Sequence, residues 1–187
     1  HSYGLANRAF GASNHNDTKY KIASITKLFT STLILKLRDE GKIDLDSTIN
    51  RYLPKYSGEA ADKVTVRQLL NHTSGMNNAD KDASPEKGIA HYQTPMTTDA
   101  LLERFYSGPP VAKPGTAFDY NNGDYIVLGK IIEAIEGKTF DTVLAERILQ
   151  PLNMRSSGML QQARIVENLA DTYFFRDDLN SLVNDLP

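Results

Sequence analysis

The chain contains no cysteine. A disulfide framework, a thiolate zinc site and a cysteine nucleophile are therefore excluded together. Its longest apolar run, inside LFTSTLILKL, is interrupted by Thr30, Ser31 and Thr32 and falls far short of the roughly 20 apolar residues that a membrane-crossing helix requires. An excess of charge of one sign is also missing. With 21 basic against 23 acidic residues the formal charge is -2, which points to neither nucleic acid nor an anionic lipid surface as a partner. His1, His15 and His91 stand singly in polar segments without ligand spacing and no carboxylate pair is visible, so neither a metal nor another cofactor is expected. The opening HSYGLANRAFG lacks the basic and then apolar run of a signal peptide, although a secreted protein trimmed of its leader reads the same way. There is no internal repeat and no low-complexity segment.

What is present is ordinary globular composition: 40% hydrophobic and 24% charged over 187 residues, enough for one domain with a sizeable core, or for a helical unit leaning on a smaller second element. Residues 1–21 show short apolar alternation cut by Gly4 and Gly11, which suits a sheet arm. Residues 22–187 read as mainly helical, with TYFF at 172–175 as a possible short strand.

From Ile22 to about Glu40 the positions Ile25, Leu28, Phe29, Leu33, Leu35 and Leu37, with Ile34 beside them, cover most of a helix surface, so this helix is expected to be central and buried until Gly41 ends it. Asp46 is the expected cap of a short helix stopped at Pro54. Thr65 and Gln68 stand at capping-box spacing ahead of Leu69 and Leu70. Residues 76–96 carry no sustained period and many turn formers, which predicts a long surface loop. Thr98 is expected to cap DALLERFY, Pro114 and Gly115 to form a type II turn, and Asn122 or Asp124 to cap a helix whose apolar stripe is Leu128, Ile131, Ile132 and Ile135. A last helix, FDTVLAERILQ, stops at Pro151.

One feature of the first helix does not follow from folding alone. Ser24 and Lys27 stand three positions apart, and the unpaired amides of a helix start disfavour a cation in the first turn. At that spacing the two are surface neighbours with Cβ atoms roughly 5–6 Å apart. A serine hydroxyl becomes a nucleophile when a base removes its proton, and a desolvated lysine amine can do so. Amides at the helix start are also suitably placed to stabilise an oxyanion. The plainer account is that Ser24 is an N-cap and Lys27 snorkels to water. Further along, PGTAFDYNNGDY places a tyrosine two residues before an asparagine at the start of a helix, offering a phenol for proton transfer and an amide for a substrate carbonyl. Here too each residue alone is a common loop or cap residue.

Together, Ser24-Ile25-Thr26-Lys27, LLNHTSG at 69–75 and Tyr120-Asn121-Asn122 after PGTAF resemble the serine β-lactamase and penicillin-binding protein superfamily, most closely its class C branch. The likeness runs over most of residues 3–155. It implies an α/β fold of the α+β type, the β-lactamase/transpeptidase-like fold, here mainly its helical half with part of an antiparallel sheet. It further implies Ser24 as the acylated nucleophile, Lys27 as its proton acceptor or relay, Tyr120 as the group that shuttles a proton to the leaving group, and Asn122 as the holder of the substrate amide. His72 is expected to support the site rather than react.

The family's third element, a K-T-G or H-x-G on a strand, has no counterpart. KPG at 113–115 carries a proline that a central strand excludes, and GKTF at 137–140 opens a helix. The resemblance thus implies a fragment of a longer enzyme, with a complementing chain or a dimer as a possible way to complete the sheet. It implies a serine hydrolase acting through an acyl-enzyme on a small-molecule or peptide substrate: a β-lactam, a D-amino-acid peptide or a short-chain ester. The alternative is a noncatalytic penicillin-binding-like binding or sensing domain. A periplasmic or extracellular location is implied by the family alone.

Overall fold

A computed structural model describes residues 1–79, 96–161 and 163–184. Strands β1 (Leu5–Asn7) and β2 (Ala12–Ser13) form an antiparallel hairpin near the start of the chain. A one-turn 3-10 helix, Ala23–Ile25, leads into α1 (Thr26–Asp39), followed by the short helices α2 (Ile49–Tyr52) and α3 (Val66–Leu70). Then come α4 (Thr98–Tyr106), α5 (Asn122–Glu136) and α6 (Phe140–Leu144), the last running on as a wider π-helical turn over Ala145–Leu149. A second antiparallel hairpin, β3 (Tyr173–Arg176) with β4 (Ser181–Asn184), pairs Phe174 with Val183.

The two hairpins are separate two-stranded sheets, yet the segment ahead of β3 lies along the first arm. Lys19 and Leu169 form a parallel bridge, Ala170 N–H donates to Lys19 O at 2.9 Å, and Asp171 N–H donates to Ala6 O at 2.9 Å. Part of the backbone of residues 1–21 is therefore satisfied within the chain.

The central element is α5, which packs against α1, α2, α3, α4 and α6. Its buried face is Asp124, Val127, Leu128, Ile131 and Ile132, a spacing of three and four that keeps one stripe against the core. Facing it are Leu33, Ile34 and Leu37 of α1, Val66 and Leu69 of α3, and Leu102 and Tyr106 of α4. The expectation that α1 is central is corrected here. Only the stripe Thr30, Leu33, Ile34 and Leu37 is buried, while Ile25 and Leu28 are 60% and 65% exposed. Apolar residues all round a helix do not bury it unless elements pack on every side, and α5 has those neighbours.

Local sequence signals hold at some positions and shift at others. The Thr65–Gln68 capping box is present in both directions, and Gly137 ends α5 in the left-handed region at φ +66°. In the expected type II turn, Thr116 N–H returns to Lys113 O at 3.3 Å. Three caps shift. Thr97 rather than Thr98 accepts from Ala100 N–H, and Asn121 rather than Asn122 or Asp124 accepts from Gly123 N–H. Asp46 caps nothing, because its carboxylate pairs with Arg67 at 2.7 Å and Thr48 occupies the cap position of α2. Most of the loop expected over 76–96 lies outside the described residues.

Candidate active site

Ser24 sits in the 3-10 turn ahead of α1, preceded by Ala23 at φ 44°, an uncommon backbone state for a residue with a side chain. Its hydroxyl caps neither the turn nor α1. Instead Ser24 Oγ accepts from Lys27 Nζ at 3.2 Å and from the Tyr120 hydroxyl at 2.6 Å. The N-cap account of Ser24 fails on this geometry.

Lys27 does not reach for water either. Its Nζ donates to Asn122 Oδ1 at 2.6 Å as well as to Ser24, and it lies 4.7 Å from the centre of the Tyr120 ring and 5.7 Å from that of Tyr125. The amine is thus surrounded by polar and aromatic groups. The structure brings Ser24, Lys27, Tyr120 and Asn122 into one contact group from two distant parts of the chain. A pocket of about 450 Å³ opens beside it, lined by Ser24, Lys27, Asn122, Tyr125, Phe140 and Met159 among others. A larger groove of about 700 Å³, between the Tyr52–Ser57 segment and α4 and α5, holds none of the four. Chemistry, not size, singles out the smaller one. The amides expected to serve an oxyanion are partly committed, since Ile25 N–H donates to Ile22 O at 3.1 Å and the Thr26 amide to Ala23 O.

What holds Tyr120 is the HTSG stretch after α3. His72 is buried, with its ring 4.6 Å from Tyr120 and 5.0 Å from Tyr125. Two residues on, Ser74 Oγ donates to Asp124 Oδ1 at 2.6 Å and accepts from Met76 N–H. Gly75 completes the stretch at φ +68°, where an added Cβ would fall 2.2 Å from Ala112 O, so only glycine fits against the loop that carries the tyrosine. Asn121, almost fully buried, binds Met76 O and Asn77 O through its amide and so ties the start of α5 to the same stretch.

Asp124 is the residue that sequence reasoning missed. It is fully buried, with Oδ2 3.2 Å from His72 Nδ1. Burial pushes its carboxyl up to about 7, against the lowering effect of the Ser74 hydrogen bond. Burial, and next the charge of Lys27, push His72 down from its ordinary value. A signal did exist: Asp124 stands three, four and seven positions before Val127, Leu128 and Ile131, which puts a carboxyl on the apolar stripe of α5. Among the described residues no His and carboxylate cluster could hold a metal ion, and no helix is long and apolar enough to cross a membrane.

Comparison with known proteins gives a consistent result. A family model described as Beta-lactamase matches residues 1–185. Penicillin-binding protein 4 of Amycolatopsis lactamdurans is 29% identical over 162 residues, covering 85% of this chain and 41% of that protein. Among solved structures, a penicillin binding protein from Bacillus halodurans superposes with a TM-score of 0.82 at 29% identity, covering 97% of this chain and 56% of that one. A D-stereospecific amidohydrolase from Streptomyces sp. gives 0.75 at 30% identity, covering 92% and 54%. The chain spans about half the length of these relatives.

Proposed function

Because the chain belongs to the beta-lactamase family, we propose that it carries the nucleophile and proton-transfer groups of a serine hydrolase that works through an acyl-enzyme. The observation that carries this reading is Ser24 Oγ standing 2.6 Å from the Tyr120 hydroxyl and 3.2 Å from Lys27 Nζ. A serine needs a proton-transfer group within hydrogen-bond reach, and Lys27 and Tyr120 both lie that close.

In the proposed reaction Ser24 Oγ attacks the carbonyl carbon of an amide, lactam or ester, and its proton passes to Lys27. The tetrahedral intermediate collapses, the bond to the leaving nitrogen or oxygen breaks, Tyr120 delivers a proton to that atom, and Lys27 returns the serine's proton to the Tyr120 phenolate. Water then attacks the Ser24 ester, releases the acid and restores the hydroxyl. Asn122, held by Lys27 through Oδ1, is the proposed contact for the substrate amide. No metal enters any step.

The substrate class is a β-lactam, a D-amino-acid peptide or amide, or a short-chain ester; similarity to a penicillin-binding protein and a D-stereospecific amidohydrolase supports the first two. A location outside the cytoplasm, periplasmic or extracellular, goes with such substrates. Labelling with a fluorescent penicillin and with a fluorophosphonate tests the proposal. A covalent adduct that Ser24→Ala abolishes is expected. Reversible binding without an adduct would instead support a noncatalytic binding domain.

A further inference from the structure

Two groups meet at Nδ1 of His72, and one of them carries a proton that cannot move. The backbone N–H of Asn121 points at this nitrogen from 3.2 Å. An amide proton stays on its nitrogen at any ordinary pH, so Nδ1 must offer it a lone pair. A proton on Nδ1 would face the Asn121 hydrogen head-on. His72 is therefore the neutral tautomer with its proton on Nε2.

That assignment fixes the second group. Asp124 Oδ2 lies 3.2 Å from the same Nδ1 in a site with no exposure to solvent. An ionised carboxylate would set oxygen lone pairs against a nitrogen lone pair, even with Ser74 O–H donating to its other oxygen. A protonated carboxyl instead donates O–H to Nδ1, sharing the single lone pair of that nitrogen with the Asn121 amide in a three-centre bond at 3.2 Å on each side, and accepts from Ser74.

We propose that Asp124 is a positioning residue, a neutral carboxylic acid that donates its proton to His72 Nδ1 and, through the His72 ring packed on Tyr120, holds the phenol against Ser24. This rests on the reading of Ser24 and Tyr120 as reacting groups. The arrangement also keeps a second cation away from Lys27, which already lies over the Tyr120 ring.

The other ionisable groups around the carboxyl act in opposite senses. From α1 the Lys27 charge favours its ionisation, whereas Asp119 in the loop before α5 opposes it. Tyr56, after α2, and Tyr125, on α5, both feel Asp124 and are pushed up mainly by burial, Tyr56 to about 12. Neither can accept its proton near neutral pH. Burial with no compensating cation in hydrogen-bond contact among the described residues thus agrees with the proton count drawn from the Asn121 amide.

The test is imidazole ¹⁵N–¹H NMR of the purified protein at about pH 6, joined to acylation kinetics of two variants. His72 is expected to show an unprotonated Nδ1 and a protonated Nε2. Asp124→Asn supplies a donor and an acceptor of the same shape, so it should keep acylation within about threefold of the parent. Asp124→Leu supplies neither and should lower the acylation rate about 10- to 100-fold, with little change in KM, because a misplaced catalytic group costs rate more than binding. A His72 protonated at Nδ1, or an Asp124→Asn variant as slow as Asp124→Leu, overturns the proposal. The NMR readout needs no variant and no activity, so a correct tautomer in a protein that never forms an adduct would sink the hydrolase reading and leave the Asp124 assignment standing.

Discussion

Replacing Asp124 by asparagine should change how stability depends on pH, and the sign follows from which state binds the proton. An aspartate raised from 3.8 to about 7 on folding holds its proton in the folded chain over a window where the unfolded chain has lost it. Stability then falls as pH rises through that window, from about 4 to about 7, and levels off above it, where both states are ionised. At roughly 1.4 kcal/mol for each tenfold change in proton affinity, the full span is about 4 kcal/mol. Asparagine binds no proton, so the variant escapes this loss. His72, pushed down by burial, works in the opposite direction: stability lost as pH falls below its ordinary value. It is present in both chains and acts with the same sign in each. Urea unfolding followed by circular dichroism at intervals between about pH 4.5 and 8, with the m-value checked for constancy, gives the curve. The variant's stability relative to the parent should climb by up to about 1.4 kcal/mol per pH unit and flatten near pH 7. A flat difference, or one that falls with pH, means an ionised Asp124 paired with a charged His72, and refutes the reasoning.

Lys27→Ala should lower the acylation rate by about 10²–10⁴-fold, the usual range for a lost proton-transfer group, while the far-UV spectrum and thermal midpoint stay near those of the parent. Thr65→Ala removes the hydroxyl that accepts from Gln68 N–H and should cost about 1 kcal/mol in urea unfolding, with no effect on the adduct once folded. Gly75→Ala places a methyl against Ala112 O at a left-handed backbone position, so it should both destabilise the fold and slow acylation by displacing the Tyr120 loop; unchanged kinetics would separate that loop from the site.

How much of this was legible from the residues depends on the distance the information travels along the chain. The Ser24–Lys27 contact follows from helical spacing, and the Thr65–Gln68 box from a local pattern that one turn of backbone enforces. Cap positions slipped by one where the chain offers two adjacent candidates, Thr97 with Thr98 and Asn121 with Asn122, because either side chain can reach the free amides and packing decides between them. The exposed face of α1 could not be read, since apolar content does not say how many neighbours a helix has. Tyr120 meets Ser24 across 96 residues, and resemblance rather than spacing brought them together. The His72–Asp124 contact spans 52 residues; the carboxyl on the stripe of α5 was visible, but its partner was not.

The central claim is that Ser24 is an activated nucleophile. Mass spectrometry of the protein after brief exposure to a penicillin, followed by peptide mapping, tests it most directly. The account predicts a mass increase equal to one opened lactam, placed on the peptide containing Ser24 and absent from Ser24→Ala. A modified residue elsewhere, or no adduct in a folded protein that still binds the penicillin, would contradict it.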